Sequence, residues 1–382
     1  MIGYGMSIEA LADISRYYGS NVDYVIAGGG NTSFKDDDTL YIKGSGTALA
    51  DAVPETFVRM DRKALAGIWT KTYPAGSDER EKAVLADLMA ARKPGEGHKR
   101  PSVETMLHDV LPFAFVVHLH PALVNGLTCS QKGETALNEI FPEAIWIPSI
   151  NPGYILSLEV KKALKAYEEK HGRPVEQIYL QNHGVFVGAD TVEKIKEIYN
   201  EIMTRLEGRI KRQPDFGEDS LKSFSGASLE TLTSAFAELA NNGSAVFLRN
   251  REIAHLVESR ESFTPVSSAF TPDHIVYAGS DPLFIDSVDE TAIQKEALAK
   301  AWDNHIAKTG RPPKIAAVQG IGVFGVAANE KAANLALELF RDTVKVAVYT
   351  ESFGGPLFMS QDKIDFINNW EVEAFRSKVA AK

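Results

Sequence analysis

The chain has 382 residues, 44% of them hydrophobic and 24% charged, with 41 Lys and Arg against 51 Asp and Glu for a net charge of −10. That is enough for about two to three domains with a sizeable core, and the composition excludes collagenous, disordered and disulfide-built classes. The acidic balance argues against a nucleic-acid or anionic-membrane binder, while a locally positive pocket still suits a small anionic substrate.

Ser7 is a good N-cap for a first helix, with Ile8, Leu11 and Ile14 at helical spacing and Gly19 to close it. Glu9, Asp13 and Arg16 interrupt this N-terminus, so Met1–Gly19 lacks the apolar core of a signal peptide. Ala27–Phe34 then reads as a glycine-rich turn between two β-like pieces, and Leu40–Lys43 reads as a strand entering Gly44-Ser45-Gly46. Helices are expected over Asp61–Lys71, Ser77–Arg92 and Ser102–His108, and a buried strand over Phe113–Val117. A helix from Tyr154 to Lys170 stops at Gly172-Arg173-Pro174; strands Gln177–Leu180 and Gly184–Gly188 and a helix Thr191–Lys211 follow. Pro214–Ser228 is polar and aperiodic, a linker between a first domain (1–213) and a second half (229–382). Beyond it lie a helix Leu229–Leu239, a strand Ala245–Leu248, a helix Glu290–Lys308, strands Lys314–Val318 and Val323–Val326, and a final long helix. No apolar run approaches the roughly 18–20 residues of a membrane span, and a single cysteine, Cys129, fits a reducing cytoplasm.

The order repeats. Moving 138 residues along brings Gly172, Arg173 and Pro174 onto Gly310, Arg311 and Pro312, Gln181 onto Gln319, and Gly184-Val185-Phe186 onto Gly322-Val323-Phe324 (310 minus 172 is 138). The second half therefore reads as a diverged partial duplicate of a helix–strand–strand–helix unit, against chance similarity at a common junction. Gly320-Ile321-Gly322-Val323-Phe324-Gly325 matches a dinucleotide fingerprint, but its last glycine opens no helix, so no NAD site is expected.

Three histidines carry the chemistry. His118 and His120 sit two apart, on one face of a strand, and His183 sits in a tight turn. Three neutral imidazoles with an open fourth position are a catalytic zinc arrangement; three separate structural histidines are the plainer alternative. In the repeat His183 becomes Ile321 while the glycine turn persists, so the turn does not need a histidine to form. Glu104 precedes the pair and suits a base beside a Lewis-acidic ion, or else a first-turn carboxylate facing a helix dipole. The loops Gly28–Ser33 and Gly44–Thr47, with Lys43 between them, read either as a phosphate cradle or as ordinary hairpin turns.

Taken in order, Gly29-Gly30-Asn31-Thr32-Ser33, Ile42-Lys43-Gly44-Ser45-Gly46, Pro101-Ser102-Val103-Glu104, His118-Leu119-His120-Pro121 and Asn182-His183-Gly184 resemble the class II aldolase/adducin family over about residues 7 to 210. Phe270–Ile275, Gly322-Val323-Phe324 and Asn369-Trp370-Glu371 resemble the aldolase part of bifunctional rhamnulose-1-phosphate aldolase/dehydrogenases, whose dehydrogenase activity is not expected in a chain ending at Lys382. The resemblance implies a three-layer α/β/α sandwich around a mostly antiparallel sheet. It implies zinc, or another divalent ion, on His118, His120 and His183, and Glu104 as acid/base. It also implies phosphate contacts from Asn31, Ser33, Lys43, Ser45, Gly46 and Ser102, although Lys43 and Ser45 stand where simpler members carry Thr-x-Thr-Gly. The activity implied is retro-aldol cleavage of a ketose 1-phosphate to dihydroxyacetone phosphate and an aldehyde, in a cytoplasmic homo-oligomer of tetrameric type. Same-scaffold epimerases, decarboxylating aldolases and dehydratases share the histidines, and an adducin-like interaction module lacks them.

Overall fold

A computed structural model of the protein describes residues 4–219, 226–286 and 295–370. These form two compact units, the first of residues 4–128, 132–209 and 370, the second of 129–131 and 210–369. The units part between Arg209 and Ile210, four residues before the expected boundary.

The first unit runs α1 (Tyr4–Gly19), β1 (Asn31–Lys35), β2 (Thr39–Lys43), β3 (Phe57–Asp61), α2 (Arg62–Ile68), α3 (Ser77–Ala90), α4 (Thr105–Val110), β4 (Phe115–Leu119), α5 (Ala122–Thr128), α6 (Gly133–Ile140), β5 (Ile145–Ile147), α7 (Tyr154–His171), β6 (Gln177–Leu180), β7 (Gly184–Ala189) and α8 (Val192–Glu207). Its seven strands lie in the order β3-β2-β1-β4-β7-β6-β5. Every neighbouring pair is antiparallel except β5 and β6. Val116, Ile178, Leu180 and Phe186 face α4 and α7 through Leu107, Leu111, Leu156 and Val160. The opposite face carries Thr32, whose hydroxyl lies 2.6 Å from that of Ser15 on α1. Tyr18 of α1 meets Tyr199 of α8 with ring centroids 5.0 Å apart, so these two helices share a layer. The result is the expected α/β/α sandwich around a mostly antiparallel sheet.

Local differences have local causes. Ser7 does not cap α1, which starts at Tyr4 and carries Ser7 inside its first turns. The helix expected from Ser102 starts at Thr105, which makes Glu104 its N-cap residue. β1 takes up Asn31–Phe34, expected as part of the glycine-rich turn; the segment is instead a central strand because β2 and β4 pair both its edges and it is buried. The short strands β3 and β5 and the helices α5 and α6 have no clear sequence signal.

The second unit runs α9 (Gly226–Leu239), β8 (Ser244–Leu248), α10 (Arg251–Leu256), α11 (Arg260–Phe263), β9 (Leu283–Ile285), α12 (Lys295–Thr309), β10 (Ile315–Val318), β11 (Gly322–Ala327), α13 (Glu330–Thr350) and α14 (Gln361–Asn369). Its sheet order is β8-β11-β10-β9, packed on Leu232, Phe236, Leu298 and Trp302. Within the expected linker, the Asp215 and Gly217 carbonyls accept from the Glu252 and Arg251 amides at 2.8 and 3.0 Å. Residues 220–225 of that stretch, the start of the helix expected at Glu290, the Met1–Gly3 terminus, Glu371 and the remainder of the second half to Lys382 lie outside the described residues. Gly325 sits inside β11 opposite Ile315, so the glycine-rich run at 320–325 continues as strand. Among the described residues no helix is long and apolar enough to cross a membrane.

Candidate metal centre

β4 carries His118 in the sheet centre, and His120 follows one residue past its end. His183 belongs to the β6–β7 turn, which Asn182 closes with a φ of 59°. The Asn182 amide donates to the Thr128 carbonyl at 3.1 Å and the His183 amide to that of Leu180 at 3.1 Å, fixing the turn. Gly184 lets it approach: a Cβ there would stand 2.5 Å from the Leu119 carbonyl oxygen and 2.8 Å from His120 Cδ2.

The three imidazoles converge. His118 Nε2 lies 2.9 Å from His120 Nε2 and 3.3 Å from His183 Nε2. Two nitrogens bound at 2.0–2.1 Å in a tetrahedral shell stand about 3.3 Å apart, so the donors fit one divalent ion. His118 Nδ1 donates to the Val185 carbonyl at 3.0 Å, which leaves Nε2 as the lone-pair nitrogen. Its ring stacks on Phe186 at 3.9 Å and 9°. Burial drives the His118 imidazole well below its usual range, with His120 and His183 adding to the effect against Glu104, so it is neutral. His118 is fully buried, whereas the side chain of His183 is 12% exposed and marks the open side.

Glu104 completes the centre. Its Oε1 lies 3.4 Å from both His118 Nε2 and His183 Nε2. Oε2 accepts from Asn31 Nδ2 at 2.5 Å, and the same amide nitrogen reaches Ser102 Oγ at 2.9 Å. Asn31 stands directly opposite His118 in the β1–β4 register, which is what brings α4 to the histidines. Burial pushes the Glu104 carboxyl up, but the positive charge that His118, His183, His120 and His108 carry when protonated pulls it down further, to about 2. It is therefore a carboxylate. The Asn31 side-chain oxygen Oδ1 is buried without a hydrogen-bond partner.

The two glycine loops meet through Lys43, whose ammonium donates to Thr47 O at 2.7 Å and Gly28 O at 3.3 Å. Gly30, at φ 68°, lies against the His118 backbone, where a Cβ would come within 2.9 Å of the carbonyl oxygen. The Ser45 amide donates to the Arg100 carbonyl at 2.8 Å, and Gly46 turns the loop with φ 84°. Ser33 is fully buried, and its hydroxyl lies 2.8 Å from His108 Nδ1.

His108 and Lys35 pack beside this centre and carry no role in the sequence reading. Lys35 Nζ donates to the His108 carbonyl at 2.7 Å, so β1 holds α4 by both side chain and backbone. Burial lowers the Lys35 ammonium to about 7 and the His108 imidazole to about 3. The signal was present as spacing. Asn31, Ser33 and Lys35 alternate on one strand face, and Glu104 and His108 are one helical turn apart.

Residues 9–207 match the family described as class II aldolase and adducin N-terminal domain. A curated relative from Bacillus subtilis (strain 168), named an uncharacterized oxidoreductase YuxG, is 21% identical over 98% of this chain. The chain spans 58% of that relative's length. Among solved structures, the N-terminal class II aldolase domain of a Thermoplasma acidophilum protein is 27% identical, covering 55% of this chain and 95% of that one, with a TM-score of 0.46. An L-fuculose-1-phosphate aldolase from Thermus thermophilus is 18% identical, covering 52% and 90%, with a TM-score of 0.33.

Proposed function

The chain belongs to the class II aldolase and adducin family, and on that premise we propose that it is a metal-dependent lyase cleaving a ketose 1-phosphate to dihydroxyacetone phosphate and an aldehyde. The observation that carries this reading is the convergence of three imidazole nitrogens on one point, with an ionised carboxylate 3.4 Å from two of them.

His118, His120 and His183 would hold the ion, with zinc the best fit to three neutral imidazoles. When bound, such an ion supplies Lewis-acid polarisation of neighbouring substrate oxygens. Glu104 has one oxygen fixed by Asn31 and the other turned to the histidines. Oε1 is thus the atom that takes and returns a proton on the substrate carbon. Ser102 receives both the Asn31 side-chain amide and the Glu104 backbone amide, at 2.9 and 3.1 Å, and so holds acid/base and anchor together. The loops at 28–30 and 44–47 would supply the phosphate cradle, with Lys43, which donates to Gly28 O and Thr47 O, tying them together.

The test is metal content by mass spectrometry, followed by a screen of ketose 1-phosphates for release of dihydroxyacetone phosphate. The expected result is about one ion per chain, lost in His120→Ala, as three-histidine coordination requires. Wild-type protein that stays metal-free after zinc is supplied overturns the proposal and favours an adducin-like interaction module. Product other than dihydroxyacetone phosphate reassigns the site to an epimerase or dehydratase.

A further inference from the structure

We propose that the second unit contains a decommissioned copy of the metal centre, in which the guanidinium of Arg249 stands in for the ion. The β6–β7 pairing Gln177↔Val187 to Leu180↔Gly184 recurs as Ile315↔Gly325 to Val318↔Gly322 in β10–β11, each number raised by 138. The parallel strand beside it follows the same offset, from Ile147↔Leu180 to Val318↔Ile285. So does the positive-φ turn residue, from Asn182 at 59° to Gly320 at 74°, and so does the helix N-cap, from Thr191 to Asn329.

The strand bearing the histidines also has a counterpart, at an offset of 129. Phe115↔Ala189 through Leu119↔Val185 become Ser244↔Ala327 through Leu248↔Val323. Thr128 O, which accepts from the Asn182 amide, becomes Val257 O, which accepts from the Gly320 amide at 2.7 Å. By these registers His118 corresponds to Phe247, His120 to Arg249 and His183 to Ile321. The packing agrees. A Cβ on Gly184 would strike Leu119 O and the histidine rings, and a Cβ on Gly322 would strike Leu248 O and the Phe247 ring.

All three ligand positions have therefore lost their nitrogen ligands, yet the tie between strand end and turn survives. Arg249 Nη1 donates to the carbonyls of Gly320 and Ile321 at 3.0 and 2.6 Å. Its other nitrogens meet Asp219 at 2.7 Å, and its side chain is 14% exposed. A fixed cation with planar donors joins the same two segments that imidazoles joined by an ion would join. The base is missing too: among the described residues β8 pairs only with β11, so the positions of β1 and α4, which supply Asn31 and Glu104, have no counterpart. The second unit is thus metal-free and catalytically silent, with its turn held by its own arginine.

The proposal rests on the metal reading of the first unit only for what is compared, and its test separates the two. The triple variant Phe247→His, Arg249→His, Ile321→His should bind one more zinc ion per chain than wild type without new lyase activity. Unchanged stoichiometry in a variant with native circular dichroism overturns it. Amide hydrogen exchange decides if the variant does not fold. Arg249→Ala should speed exchange at Gly320 and Ile321 by about tenfold or more and leave Asn182 and His183 unchanged. Chelation of the wild type should do the reverse. Wild-type rates at Gly320 in Arg249→Ala, or equal deprotection of both turns on chelation, overturn the proposal. A wild type that takes up no zinc removes the metal reading while the Arg249→Ala result still scores this one.

Discussion

Ser33→Ala separates a substrate contact from an architectural one. The hydroxyl removed is fully buried and has His108 Nδ1 at 2.8 Å. The other ring nitrogen, Nε2, is already buried without a partner. Losing Ser33 Oγ therefore strands the whole imidazole, at a cost of about 1–3 kcal/mol for an unsatisfied buried polar group. In a unit of about 200 residues each kcal/mol lowers the melting temperature by roughly 2–4 °C. Calorimetry of the full chain should show the first-unit transition falling by several degrees and the second-unit transition unmoved. Adding His108→Phe should recover part of the loss, because both partners are then apolar. KM for a ketose 1-phosphate should stay near wild type. An unmoved transition with KM raised about tenfold would refute this reasoning and place Ser33 against the phosphate.

Three further outcomes follow from the same geometry. Glu104→Gln should retain its metal and lose turnover by about 10²–10⁴-fold; metal loss equal to the activity loss would show that Glu104 is a ligand instead. Gly184→Ala should destabilise the first unit by about 1–3 kcal/mol through overpacking against Leu119 and His120, and competition with a chelator should show weakened metal binding. His108 is held at about 3 against 6.5 when free, so below pH 6.5 the unfolded chain binds more protons than the folded one. Stability of chelated protein should therefore fall as pH drops from about 6.5 toward 3, with Glu104, held at about 2 against 4.5, adding to the loss below 4.5. His108→Phe should flatten the upper part of that profile in pH-dependent melting, and an unchanged slope would contradict the assignment.

The sequence by itself determined what local periodicity controls. The two-residue spacing put His118 in a strand with His120 just past its end, a glycine-flanked turn presented His183, and an unbroken offset of 138 pointed to a repeated unit. Tertiary structure decided what non-local pairing controls. β1 was illegible because Gly28-Gly29-Gly30 directly before it and its own Asn and Ser read as a continuing turn, and it exists as a strand because β2 and β4 satisfy both its edges. That pairing sets Asn31 opposite His118, brings Glu104 to the imidazoles, and turns Ser33 inward to His108. The second offset, 129, stayed hidden for a related reason: the strand around Phe247 and Arg249 shares almost no side chains with the one around His118 and His120, and only their common register against β11 and β7 aligns them. Residue types carry chemistry along the chain, but which of them meet depends on hydrogen-bond register between segments far apart in sequence.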